Sequence, residues 1–273
     1  MEHSDLDARF AFASRLIEEA GALALGYFQR LGSLTVTSKG PQDMASEADL
    51  NTEILIKDRI AAAFPEDAFL GEETGRTEVA ATARGIWVVD PIDGTQPFVS
   101  GMPGWCVSIA FVFDGIAELG FVFSPAQNEL FVGRRGGGAT LNGQPIAVRP
   151  NARITDGLVG LGYNNKIPAA DFLPLVSALL DQGATFYRNG SGALMLCYVG
   201  CGRLLGYVEQ RINSWDCLGA LAVIEAAGGT VSDFLADEGM WTGHALAAGA
   251  PEVFPTLAAL VGVIAKPYAV RPE

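Results

Sequence analysis

The stretch from Ile86 to Ser100, I-W-V-V-D-P-I-D-G-T-Q-P-F-V-S, constrains the fold more than any other part of the chain. Ile86 to Val89 have the β-branched and aromatic character of a short buried strand, and they run directly into Asp90. A carboxylate is thereby delivered at a strand end. Pro91 fixes φ and donates no hydrogen bond, so the chain is expected to turn there, with a second carboxylate, Asp93, aimed at the same point. Gly94 and Thr95 then offer backbone N–H groups at the start of a short helical turn, where unpaired amides and the helix dipole favour an anion. Acids alone would repel a phosphate; hard divalent cations between carboxylates and phosphate resolve the conflict. An isolated D-P-x-D-G is more often a solvated Asx-rich turn, so the rest of the chain must decide.

With 273 residues the chain can bury a large core, and 49% apolar residues with 33 Gly and 14 Pro fit a compact mixed α and β protein rich in tight turns. No apolar run approaches the roughly 18 residues that span a bilayer. The start, Met1-Glu2-His3-Ser4-Asp5, is not a basic-then-apolar leader, so a soluble cytoplasmic protein is expected. Cys106, Cys197, Cys201 and Cys217 lack C-x-x-C spacing and read as reduced, mostly buried thiols. His3 and His244 are the only histidines, which argues against imidazole-rich zinc sites and a histidine nucleophile. Any metal site must then use oxygen ligands, which points to Mg²⁺ or Mn²⁺. A net charge of −13 argues against a nucleic-acid backbone or an anionic membrane as partner. Acids that hold cations reverse that sign locally.

In chain order, apolar residues at three- and four-residue spacing predict an amphipathic helix from Ser4, its N-cap, to about Leu31. A short strand follows at Leu34 to Lys39. Ser46 and Asp49 form an S-x-x-D capping box that opens a helix to about Phe64, a role that suffices for Asp49 in isolation. Ala68 to Leu70 read as a strand leading into Gly71-Glu72-Glu73. Neighbouring side chains on extended chain point oppositely, so Glu72 is the candidate ligand and Glu73 an outer or water-orienting group. Residues 78–85 read as a polar loop. Beyond the central motif, Trp105 to Phe113 and Ile116 to Phe123 form a hairpin about Asp114-Gly115. Another strand at Asn128 to Gly133 precedes a glycine triplet at 136–138, read as turn geometry, and an Asn142-Gly143 turn.

The second half alternates strand and helix: Leu158 to Leu161, Ala169 to Asp181, Thr185 to Tyr187, Ser191 to Gly200, Leu204 to Val208, Trp215 to Ala227 and Thr230 to Ser232. At Arg188-Asn189-Gly190-Ser191-Gly192 the glycines allow close backbone approach to a polar ligand. Ser214 is a candidate cap for the next helix, with Asp216 complementing its dipole. Glu209, at the end of the preceding strand, could reach the same cleft.

Taken together, G-E-E at 71–73, W-V-V-D-P-I-D-G-T at 87–95, W-D-C-L-G-A at 215–220 and E-A-A-G-G at 225–229 resemble the inositol monophosphatase family of metal-dependent, lithium-sensitive phosphatases. The resemblance runs from Lys39 to about Gly229, and the N-terminal helix also fits. It implies an α+β fold, a layered α-β-α-β-α sandwich of the sugar-phosphatase type with mixed and antiparallel sheets, in one domain and as a homodimer. Its metal ligands fall on Glu72, Asp90, the Ile92 carbonyl, Asp93 and Asp216, holding two or three Mg²⁺ ions. The first half, about 1–150, carries most of them; the second, about 151–273, carries Asp216 and the substrate contacts.

Asp49 and Thr95 resemble the pair that polarises the attacking water, and the Gly94 and Thr95 amides would bind phosphate. Gly190, Ser191 and Gly192 would flank the alcohol, and Glu209 would accept its hydroxyls. The implied reaction is hydrolysis of a small phosphorylated polyol, inositol monophosphate foremost, by direct attack of water activated at the metal site. Relatives within the resemblance act on histidinol phosphate, fructose 1,6-bisphosphate or 3′-phosphoadenosine 5′-phosphate; a non-catalytic binding protein that keeps the fold is the alternative from another class. The chain departs from the family pattern at Gln96-Pro97, Leu205, Leu218 and Gly192, none of them a ligand position.

Overall fold

The computed structural model describes residues 3–34, 36–40, 43–77 and 83–266. It opens with α1 (His3–Phe28), an antiparallel pair β1 (Val36–Gly40) and β2 (Asp43–Ser46), and α2 (Glu47–Ala63). Strands β3 (Ala68–Gly71), β4 (Gly75–Arg76) and β5 (Gly85–Asp93) lead to the short α3 (Thr95–Val99). A meander follows: β6 (Cys106–Phe113), β7 (Ile116–Ser124), β8 (Glu129–Arg134), β9 (Gly138–Leu141) and β10 (Gln144–Ile146). The second half runs β11 (Leu158–Leu161), α4 (Ala169–Asp181), β12 (Thr185–Tyr187), α5 (Gly192–Gly200), β13 (Gly206–Ile212) and α6 (Ser214–Ala226). It ends with β14 (Thr230–Val231), α7 (Gly239–Thr242), β15 (His244–Gly249) and α8 (Phe254–Val261).

The larger sheet has the order β10-β9-β8-β7-β6-β5-β3-β4, antiparallel except for the parallel β3–β5 pair. Two of its hairpin turns are set by Asp114-Gly115 and Asn142-Gly143, all four residues with positive φ, which matches the twist of the flanking strands. The smaller sheet is mixed, ordered β12-β11-β13-β15-β14, with β11 parallel to both of its neighbours.

Strand alternation separates the cores. Trp87, Val89, Phe111 and Phe121 pack with Ala13 and Ile17 of α1 and Ile56 and Ile60 of α2 on one face of the large sheet. Val88, Ala110 and Val122 point to the other face, against Leu194 and Val199 of α5 and Leu221 and Val223 of α6. Those two helices are buried nearly all round, because the small sheet covers them from behind with Tyr207, Leu246 and Ala248. Its outer face, Val208 and Ala247, packs on Leu175 and Leu179 of α4 and Leu257 of α8. The result is the α-β-α-β-α layering that the family resemblance implied. Among the described residues no helix is long and apolar enough to cross a membrane.

Several boundaries differ from the sequence reading. The chain does not turn at Pro91: β5 continues to Asp93, its pairing with β6 shifting register between Asp90 and Asp93. Helix α1 begins before Ser4 and ends at Phe28, followed by a 3-10 turn at Leu31–Ser33. Trp105 precedes β6, and Ser191 caps α5 instead of opening it. Asn213, not Ser214, caps α6; the Ser214 hydroxyl donates instead to Met240 O at 2.7 Å. Strand β13 starts at Gly206 and runs past Glu209, because Leu204 closes the turn after α5, its N–H donating to Tyr198 O at 3.0 Å. The polar loop expected over 78–85 lies outside the described residues from 78 to 82. The four cysteines are unpaired, and Cys106, Cys197 and Cys217 are buried.

Candidate active site

Three acids from separate elements converge at one end of the large sheet. Glu72 follows β3, Asp90 lies in β5, and Asp216 sits in the first turn of α6; each offers a carboxylate oxygen within 4.8 Å of the others. The parallel β3–β5 pairing sets Gly71 opposite Val89, which brings the acidic turn alongside Asp90. Burial raises the Asp90 carboxyl well above its ordinary value, and repulsion from Glu72, Asp93 and Asp216 pushes it the same way. Asp216 is also raised by burial, against hydrogen bonds from Asp90 and Asn213. Like charges held this close, with Asp90 buried and Glu72 and Asp216 partly buried, fit a cation between them. With oxygen as the only donor type, the cluster suits a hard divalent ion.

Asp49 does two things with two oxygens. Its Oδ2 accepts the Ser46 N–H at 2.8 Å and the Ser46 hydroxyl at 2.5 Å, completing the capping box of α2. Its Oδ1 accepts the Thr95 hydroxyl at 3.3 Å, and that hydroxyl also lies 3.2 Å from the Ile92 carbonyl. Capping therefore leaves the second oxygen turned towards the central motif. Asp49 is 1% exposed, and its carboxyl is raised by burial, with Glu73 repelling it from the neighbouring turn.

Asp93 is placed differently from the other candidate ligands. Its Oδ2 accepts the Ser191 hydroxyl at 2.5 Å and the Ala193 N–H at 2.7 Å, while its Oδ1 accepts the Gly192 N–H at 3.3 Å. This carboxylate anchors the N-terminus of α5, so the segment 190–193 is tied to the central motif rather than merely near it. Burial first, and repulsion from Asp216 next, raise Asp93 to about 7 despite those three bonds.

Gly94 has φ +93°, and a Cβ there would come within 2.9 Å of Gly104 O. The turn into α3 is thus closed to other residues. Pro97, one of the departures from the family pattern, packs against Gly190 across the same seam. Glu209 is buried on β13 and accepts the Tyr207 hydroxyl at 2.6 Å; burial lifts its carboxyl to about 8.

Two residues at the site escaped the sequence reading. Tyr207 holds Glu209, and Glu53, fully buried on α2, accepts the Glu73 and Thr74 amides. The available signal for Glu53 was its place one helical turn after Asp49, on the same face of α2.

Comparison with known proteins bears on the family and the fold. A model of the inositol monophosphatase family matches residues 5–267. The Nus factor SuhB of Escherichia coli strain K12 is 34% identical over 252 residues, covering 90% of this chain and 93% of that protein. In structure the chain is similar to the extragenic suppressor protein suhB of Bartonella henselae, with a TM-score of 0.85 and 27% identity over 93% of this chain and 98% of that one. It is also similar to inositol monophosphatase from Anabaena (Nostoc) sp. PCC 7120, with a TM-score of 0.80 and 28% identity over 95% and 98% of the two chains. On a match that spans nearly its whole length, the chain belongs to the inositol monophosphatase family.

Proposed function

We propose that this protein is a Mg²⁺-dependent phosphomonoesterase acting on a small phosphorylated polyol, inositol monophosphate foremost, without a covalent enzyme intermediate. The observation that carries the reading is the Asp49–Thr95 contact, 3.3 Å, beside the Glu72, Asp90 and Asp216 cluster. A purely structural cation site would need the acids but not the pair.

Glu72, Asp90, Asp216, Asp93 and the Ile92 carbonyl hold the cations in this reading. When bound, such ions neutralise charge at phosphate and acidify water. The Gly94 and Thr95 amides face the phosphate oxygens, and Asp93 and Thr95 tie that cradle to its two neighbours, α5 and α2. Thr95 and Asp49 orient the attacking water and take its proton, with Glu73 beside them. The backbone of Gly190, Ser191 and Gly192 borders the alcohol, and Glu209 meets its hydroxyls.

Phosphate release from inositol 1-phosphate, histidinol phosphate, fructose 1,6-bisphosphate and 3′-phosphoadenosine 5′-phosphate, with and without Mg²⁺, tests the reading. The expected result is Mg²⁺-dependent release, fastest on inositol 1-phosphate and lost in Asp90→Asn. Another fastest substrate would keep the chemistry and change the substrate. A non-catalytic binding protein is the second reading, favoured by the Nus factor name of the Escherichia coli relative. No release from any of the four would select it.

A further inference from the structure

Glu53 is a charged side chain with 0% exposure in the middle of α2. Its Oε2 accepts the Glu73 N–H at 2.8 Å and its Oε1 accepts the Thr74 N–H at 2.6 Å. One turn further along the same face, the Lys57 ammonium donates to the Thr74 hydroxyl at 3.0 Å. Asp49, Glu53 and Lys57 thus form a column on α2 that addresses first Thr95 and then the acidic turn. The Glu73 N–H belongs to the peptide that leaves Glu72, while the N–H of Glu72 itself donates to Val89 O at 3.3 Å. Glu72 is held on both sides, by the sheet before it and by Glu53 after it. Gly71 completes the arrangement: a Cβ there would overlap the Glu53 carboxylate, so with any other residue either the turn or Glu53 must give way.

We propose that Glu53 is a positioning residue: its carboxylate clamps the 71–74 turn through two amides and sets Glu72 against Asp90 and Asp216, so that cation affinity depends on an acid that is not itself a ligand. The inference rests on the metal-site reading above. A carboxylate suits the task because it offers an acceptor to each of two converging N–H donors, and charge-assisted bonds of this kind are about twice as strong as neutral ones. Glutamine of the same shape supplies one acceptor and turns an NH₂ towards the other donor.

The test is calorimetric titration of the EDTA-stripped full chain with Mg²⁺ alone. Glu53→Gln is expected to weaken Mg²⁺ binding by about 10- to 100-fold, the usual effect of removing a group that orients a ligand. Gly71→Ala, which displaces the turn from an intact Glu53, is expected to do the same. Asp67→Asn is the control: at the far end of β3 it removes the charge and one of the two acceptor oxygens that hold Arg9 and Trp87, lowering the melting temperature and leaving Mg²⁺ affinity unchanged. Wild-type affinity in folded Glu53→Gln overturns the proposal, as does a loss that Asp67→Asn reproduces. If Glu53→Gln does not fold, unchanged affinity in Gly71→Ala overturns it equally. A wild-type chain that takes up no Mg²⁺ removes the metal-site reading itself, an outcome distinct from equal binding by wild type and variant.

Discussion

The Thr95 hydroxyl meets Asp49 Oδ1 at 3.3 Å across 46 residues of chain, while Asp49 Oδ2 is committed to Ser46. A hydroxyl has one proton to donate and two lone pairs to accept with. The proton has two acceptors in reach, Asp49 and the Ile92 carbonyl at 3.2 Å; when it is directed at Asp49, the lone pairs of Thr95 are available to water. Thr95→Ala and Asp49→Asn are each expected to lower kcat on inositol 1-phosphate by about 10²- to 10⁴-fold, the range of general acid–base contributions. The double variant should lose little more than either single one, because the two groups act as a unit. Multiplying losses in that cycle would assign them separate roles.

Cations should stabilise the fold as well as serve the reaction. Asp90, Asp93 and Asp216 are all raised by burial, and Asp90 is raised further by its acidic neighbours. An ion that binds only the folded chain adds about 2.7 kcal/mol at 100 times its Kd. For a chain of this size that is a rise of about 5 °C in Tm. Asp90→Asn should raise the Tm of the EDTA-treated protein, by relieving repulsion, and remove most of the Mg²⁺-induced shift. Scanning fluorimetry with and without Mg²⁺ checks both, and equal wild-type curves would contradict the metal site.

Glu209 gives the metal-free protein a pH dependence of defined sign. Burial is the main cause of its rise from 4.5 to about 8; Asp216 and Asp93 add to it, and the Tyr207 hydroxyl and Arg188 oppose it. The folded chain therefore keeps this proton where the unfolded chain has lost it. Its contribution to stability is fully present below about pH 4.5 and disappears as pH rises to about 8, on the order of 5 kcal/mol at most. Urea unfolding in EDTA between pH 5 and 8 should show a decline that is shallower in Glu209→Gln. Parallel slopes for the two proteins would reject this assignment.

What could be read from the sequence was mostly local chemistry. The β-branched run into Asp90, the glycine after Asp93 and the S-x-x-D box at Ser46 each carry their structure within a few residues, and all three are present. The strand expected from Leu204 misled because an apolar run looks the same in a buried turn as in a strand; Leu204 and Leu205 are buried without belonging to β13. Strand β15, H-A-L-A-A-G, went unnoticed because small residues carry little strand preference, and it exists through pairing with β13 and β14. At the site, the acids were visible as motifs. The clamps were not, since nothing local says that Glu53 meets an amide 20 residues away or that Asp93 binds the start of α5.

Tyr207 offers a way to separate substrate binding from bond cleavage. Its hydroxyl is buried and donates to Glu209 Oε2 at 2.6 Å, and it touches none of the clustered acids, Thr95 or Asp49 by hydrogen bond. In Tyr207→Phe, Glu209 loses the bond that fixes its orientation, a loss of about 0.5–1.5 kcal/mol for an ordinary intramolecular hydrogen bond. If Glu209 meets the hydroxyls of the polyol, the variant should raise KM for inositol 1-phosphate about 2- to 10-fold with little change in kcat. Its KM for p-nitrophenyl phosphate, which has no ring hydroxyls to offer, should stay at the wild-type value. The two substrates together discriminate between causes: a general loosening of the cleft would raise both KM values, whereas a fall in kcat on both would move Glu209 from recognition of the alcohol to the bond-breaking step.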